Sequence, residues 1–259
     1  MLKSGLLNIL IAFLLLSPTA VLAWGQTGHR VTGSIANAYL SDKARLAIEK
    51  ILPNESLAEA STYADEMRSN PSKYWQRTAS SFHYVTIPKG QKYEKAPKKG
   101  DSLSALKKFK KVLLNKKASI EDKQLALRFI IHIIGDLHQP LHVGNGTDRG
   151  GNDRKLSFFW ADSNLHRVWD SGMIDQKKLS YTEWTKWLSQ KISVEDFQVS
   201  YQADPMIWVE ESATIRPGIY PESDSISYDY MYHNLPIVKQ RLQKAGIRIA
   251  AYLNEIYED

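Results

Sequence analysis

Residues Ile120–His142 read IEDKQLALRFIIHIIGDLHQPLH, and this stretch decides both the fold and the chemistry. Ser119 with Asp122 has the form of a capping box, which opens a helix at Ile120. Pro140 has no N–H to donate and closes that helix near His138. On the helix, His132 and Asp136 stand one turn apart and share a face, so both can reach one metal ion. His142 follows the break, where the chain can fold back toward the same point.

The rest of the chain reads in the same way. Val31 to Leu40 is an apolar-rich helical stretch, and Ser41 with Asp42 caps a helix running to about Ile51. Leu103 to Leu114 repeats apolar residues with the helical period. Leu235 to Tyr257 places Val238, Leu242, Ala245, Ile249 and Leu253 on one face. Strand signals are confined to Tyr84–Ile87 and Leu156–Trp160, which together would make a small ribbon. Gly144 to Asp153, GNGTDRGGND, lacks the Lys-Ser/Thr of a phosphate loop and reads as a connector. No repeat or composition shift marks a second domain. The expected fold class is all-α: one mainly helical domain with a small β-ribbon.

Residues 1–23 have the pattern of a signal peptide, with Lys3 ahead of an apolar run and Val21-Leu22-Ala23 as the cleavage site. The functional domain is then 24–259, beginning at Trp24, and the protein is expected to be exported, periplasmic or secreted. No other run is long and apolar enough to span a membrane. The absence of cysteine excludes thiolate metal sites, so zinc would need His, Asp and Glu. The net charge is +6, or +5 without Lys3, and much of the excess falls between Lys89 and Lys117. Such a run suits either a polyanion track or an ordinary solvated face.

Five of the seven histidines lie in three short segments. Besides the Ile120–His142 stretch, NLHRVWD spaces His166 and Asp170 as a second i, i+4 pair, and WGQTGH places Trp24 and His29 at the expected new N-terminus. Two such pairs plus His142 point to metal ligation rather than to packed core. Asp65 in TYADEMR and His83 in SSFHYVTIP are ordinary when taken alone, a helix cap and a half-buried ring. His138 reads as supporting the ligands or as exposed, His233 as a surface residue, and Trp184, Trp187 and Trp208 as core.

Together these segments resemble the zinc-dependent single-strand nucleases of the S1/P1 family, relatives of the bacterial zinc phospholipases C. The motifs are WGxxGH at the start, Asp65-x-x-Arg68, His83-Tyr84, HxxxDxHQPLH, DRGGN and NLHxxWD, and they span the domain. The resemblance implies a trinuclear zinc cleft. One zinc would take Asp65, His83, His132 and Asp136, and a second His142, His166 and Asp170. The third would take His29, a shared Asp136, and the free amino group and carbonyl of Trp24, so that signal cleavage itself creates a ligand.

By the same resemblance, a zinc-activated hydroxide attacks phosphorus in line with the 3′ oxygen and leaves a 5′ phosphate. Asp65 and Arg68 are the catalytic pair, with Arg68 bonding the charged pentacoordinate state. Tyr84 would stack on a base beside the cleaved bond, which tolerates any unpaired base. Plant and fungal members have Asp where this chain has Thr86, so Thr86 would meet the base edge with a hydroxyl instead. The substrates expected are single-stranded DNA, RNA and 3′-nucleotides, taken by a monomer with no stable protein partner. A zinc phospholipase C is the alternative, disfavoured by Asp170 where those relatives have Glu. A non-catalytic zinc store is disfavoured by the complete ligand set with Arg68.

Overall fold

A computed structural model describes residues 24–258, so the proposed leader 1–23 and Asp259 lie outside the described residues. Helix α1 (Gln26–Asn37) leads by a tight turn into α2 (Asp42–Ile51), whose first turn is capped by the Ser41 hydroxyl accepting the Ala44 N–H. Two single-turn helices follow, α3 (Leu57–Ala60) and α4 (Tyr63–Glu66). Beyond a short strand come α5 (Ser102–Leu114) and the 18-residue α6 (Ile120–Leu137). The second half holds the short α7 (Leu165–Arg167) and α8 (Met173–Asp175), then α9 (Tyr181–Ser189), α10 (Val194–Ser200) and α11 (Pro205–Ile215). The 31-residue α12 (Tyr228–Glu258) closes the fold. It begins seven residues before the Leu235 read from the sequence and carries Pro236 inside it.

The expected all-α class holds. The first helix differs from the Val31 to Leu40 stretch read from the sequence: it spans Gln26–Asn37, so the WGQTGH motif runs into its first turn. Helix α6 is the axis of the molecule. From Phe129 to Leu137 every residue is buried, and Phe129 stacks on Phe109 at 4.7 Å and on Trp75 at 5.5 Å. Fully burying one such side chain is worth about 1.5–3 kcal/mol. A second cluster gathers Trp24, Val31, Ile35, Trp169, Trp184 and Val238. Sequence neighbours of the candidate ligands come from both clusters, with Phe82 and Ile131 in one and Leu165 and Trp169 in the other. Rigid packing therefore surrounds the polar residues.

The predicted ribbon forms differently. Strand β1 (Val85–Thr86) pairs in parallel with β2 (Val143–Gly144), not with the 156–160 segment. The pairing is fixed by the histidines beside it, because the His142 Nδ1 donates to the His83 carbonyl at 2.6 Å. Strand β3 (Lys155–Phe158) forms a hairpin with β4 (Ala161–Asn164) and a parallel pair with β5 (Ser225–Ile226). Phe159 and Trp160 turn the corner at φ of +46° and +66°, which ends the strand before Trp160. Trp187 is 47% exposed rather than core, since α9 turns Trp184 and Leu188 inward instead.

Candidate metal centre

The centre is assembled by five separate pieces of chain. Helix α6 contributes His132 and Asp136 from one buried face. Pro140 then forces a tight turn over Pro140–His142 that brings His142 back beside Asp136, with its Nδ1 3.9 Å from Asp136 Oδ1. His166 on α7 and Asp170 in the wide π-helical turn Val168–Gly172 approach at 3.0 Å. Asp65 on α4 and His83, at the end of a 3₁₀ turn, come from the opposite side. Finally α1 supplies His29, whose Nε2 lies 3.3 Å from Asp136 Oδ1. The start of the domain is held against the same place, since the Gly25 N–H donates to the Asp170 carbonyl at 2.7 Å.

Three groups of donors result: Asp65 with His83 and His132, His142 with His166 and Asp170, and His29 with His132 and Asp136. Within each group the donor atoms lie within 4.8 Å of one another, and every residue is buried. Asp136 joins the groups through separate oxygens. Its Oδ2 is 3.2 Å from both His83 Nδ1 and His132 Nε2, whereas its Oδ1 faces His29. Trp24 is fully buried and packs on Gly28, next to His29.

These residues fit metal ions. His132, His142 and His166 each donate Nδ1–H to a main-chain carbonyl, those of Ser61, His83 and Gly150, at 2.6–2.7 Å. A carbonyl can only accept, so the Nε2 lone pair of each is turned toward its group, the arrangement metal-bound histidines adopt. Both ring nitrogens of His29, both oxygens of Asp65, Asp136 Oδ1, Asp170 Oδ2 and His142 Nε2 are buried with no hydrogen-bond partner. Buried polar atoms are otherwise almost always paired, so this concentration of unpaired donors marks cation sites. Burial pulls His29 and His83 below the ordinary histidine range, keeping them neutral. At His132 and His142 burial is again the largest single effect, but the neighbouring carboxylates together outweigh it, Asp136 with Asp65 at His132 and Asp136 with Asp170 at His142, pushing His142 up to about 9. Asp136, despite burial, is held far below the carboxylate range by the surrounding histidines.

Arg68 Nη1 sits 3.6 Å from Asp65 Oδ1, and its side chain is 26% exposed at the edge of the first group. A cavity of about 370 Å³ adjoins the His142–His166 group and is lined also by Tyr84, Thr86, Lys99 and Gly150. His233 is exposed, as expected. His138 is fully buried rather than exposed, and its ring is bonded to the Ile134 carbonyl and Arg248, neither of them a candidate ligand.

Several residues here were not read from the sequence. The Gln139 amide donates to Asp170 Oδ1 at 2.5 Å and accepts from the Leu141 N–H at 2.6 Å. Its place between Asp136 and His142 was the available signal. The segment Gly144–Asp153 is more than a connector. Gly150 stands at φ +63°, a conformation glycine adopts freely, and this aims its carbonyl at His166. The paired glycines of DRGGN carried that information.

A helical domain holding three adjoining groups of buried imidazoles and carboxylates beside an open cavity has the make-up of a metal-dependent hydrolase. The S1/P1 Nuclease family model matches residues 24–258, and the chain belongs to that family. Endonuclease 2 of Arabidopsis thaliana is 29% identical over 289 residues, covering 96% of each chain. Nuclease S1 of Aspergillus oryzae is 27% identical, covering 90% of this chain and 91% of its own. For Nuclease P1 of Penicillium citrinum the identity is 26%, with 90% and 98% covered. The chain is thus a metal-dependent phosphodiester hydrolase that acts on nucleic acid. Among the described residues no helix is long and apolar enough to cross a membrane.

Proposed function

We propose that the protein is a zinc-dependent endonuclease that hydrolyses single-stranded DNA and RNA to 5′-phosphorylated products, with 3′-nucleotidase activity. The observation that carries this reading is the joining of two donor groups through the two oxygens of Asp136, with the third group, His142, His166 and Asp170, beside them at a cavity lined by Tyr84. Imidazole and carboxylate donors without thiolate suit zinc. Asp65, His83, His132 and Asp136 would hold one ion and His142, His166 and Asp170 a second. His29, Asp136 and the Trp24 amino group and carbonyl would hold the third. Bound zinc supplies Lewis acidity and a nucleophile at neutral pH.

The remaining work falls to the chain itself. Asp65 orients Arg68, whose guanidinium donates to the phosphoryl oxygens as their charge rises. The carbonyls of Ser61, His83 and Gly150 keep three imidazoles aimed while substrate enters. Tyr84 offers a ring for an unpaired base, which duplex DNA cannot present, and Thr86 stands at the base edge. Loss of the 3′ oxygen from phosphorus leaves the phosphate on the 5′ side. Residues 1–23 direct export to the periplasm or beyond, and the mature chain works as a monomer.

The test uses protein beginning at Trp24, with metal content measured by elemental analysis, incubated with single-stranded DNA. Acid-soluble fragments bearing 5′ phosphates, from protein holding close to three zinc ions, are expected. No release from zinc-loaded protein would refute the reading and direct attention to phospholipid head groups. A protein with one extra residue before Trp24 should hold one ion fewer.

A further inference from the structure

The cavity beside the His142–His166 group has an uneven chemistry. None of its lining residues carries a carboxylate. Thr147 donates its hydroxyl to Asn145, and Arg149 is committed to Asp153. Apart from Arg149 Nη1 and the candidate metal ligands, the side-chain polar groups left to meet a ligand are the Tyr84 hydroxyl, the Thr86 hydroxyl and the Lys99 ammonium. Lys99 Nζ donates to the Tyr84 hydroxyl at 2.7 Å and lies 5.2 Å from the ring centroid. Those two distances put the ammonium out beyond the hydroxyl, bent off the line of the C–O bond, rather than against the centre of the ring face. The lysine is also placed by its backbone. Its carbonyl accepts from the buried Ser81 hydroxyl at 2.9 Å, and the following Ser102 N–H donates to the Tyr84 carbonyl at 3.1 Å. Lys99 forms no ion pair among the described residues, so two of its three N–H groups remain available.

We propose that Lys99 sets the base preference of this site, selecting bases that present a carbonyl at the Tyr84 edge over bases that present an amino group there. Guanine, through O6, and uracil or thymine, through O4, accept from an ammonium, whereas N7 is common to both purines and does not discriminate. Adenine N6 and cytosine N4 are donors and would face Lys99 donor to donor. The Tyr84 hydroxyl accepts from Lys99 and so turns its own proton outward, adding a second donor on the same side. This inference rests on Tyr84 as the stacking ring in the proposed nuclease reaction.

The experiment has two arms, both using full-length mature protein. Affinity for the four ribonucleosides is measured by calorimetry, and kcat/KM for the dinucleotides GpG, UpU, ApA and CpC is measured in parallel. One charge-assisted hydrogen bond predicts a preference of about tenfold for the carbonyl-bearing pair in both arms. Lys99→Ala should bring that ratio to within about twofold of one, and Lys99→Glu should reverse it. Equal binding of the four nucleosides by the native protein, or a preference that survives Lys99→Ala, would overturn the proposal. A Lys99→Ala loss that is equal for all four dinucleotides and absent for nucleosides would also overturn it, by placing the lysine on a phosphate. Retained nucleoside preference with no dinucleotide cleaved would instead refute the proposed reaction and leave this inference standing.

Discussion

The C-terminal end of α6 is gripped from behind by a charged network, and Glu211→Gln tests how much the fold depends on it. Arg241 and Arg248 reach in from α12 with side chains only 1% exposed, and Glu211 is the carboxylate that both bind. Arg248 donates to both Glu211 oxygens at 2.6 and 2.8 Å, Arg241 donates at 2.6 Å, and Lys244 adds a bond at 3.0 Å. The same arginines hold His138, Arg241 through its carbonyl and Arg248 through Nε2, both at 3.0 Å. Burial, with the two guanidiniums, drives His138 far below the ordinary range, so it stays neutral and can accept. Burial also brings Arg241 down to about 10 against the pull of Glu211. Breaking a buried pair from one side costs about 3–5 kcal/mol, and the 26% exposure of Glu211 reduces this to roughly 2–3 kcal/mol. In a domain of this size that corresponds to a fall in Tm of about 5–10 °C.

The assay is urea unfolding of metal-free native and Glu211→Gln protein, so that metal binding does not enter the balance. The pH dependence adds a second check. Against burial, the two arginines hold Glu211 far below its ordinary value. A carboxylate with a depressed folded value stabilises fully above its unfolded value, near 4.5. That contribution is lost as pH falls through the folded value. The gap between the two proteins should therefore be constant above about pH 5 and narrow in acid. A variant within about 0.5 kcal/mol of native at pH 7 would refute the reasoning.

Three further outcomes follow from the same geometry. A methyl group at Gly135 would stand 3.0 Å from His29 Nδ1, while alanine gains about 1 kcal/mol of helix propensity over glycine. Gly135→Ala should leave metal-free stability nearly unchanged yet weaken one metal site tenfold or more, read by titration against a competing chelator. Gly150→Ala meets both a left-handed backbone and the Leu141 carbonyl, so it should destabilise by more than about 1–2 kcal/mol and lower metal content at the His142–His166 group. Chelation should lower Tm by several degrees, because a site at a hundredfold excess over Kd contributes about 2.7 kcal/mol, and zinc should restore it where magnesium does not.

What could be read from the sequence was what local rules control. Helices α2, α5 and α6 announce themselves by caps and by the spacing of apolar residues, and the His132–Asp136 and His166–Asp170 pairs by helical geometry alone. Asp65 and His83 had no such signature. They join the centre because α4 and the His83 turn pack onto α6, a contact between residues 71 and 49 positions apart in the bonds from His132 to Ser61 and His83. The strand pairing failed for a related reason. Two-residue strands have almost no pairing preference of their own, so β1 goes wherever the His142 to His83 carbonyl bond carries it. Lys99 was one of many lysines in a basic run, and nothing local separated it from its neighbours. Its distinction is the fold of the 84–102 loop, which returns it to Tyr84 after fifteen residues. Ligands that sit on regular helices are thus legible one pair at a time, whereas the groups that orient them and that choose the substrate depend on tertiary packing that spacing does not encode.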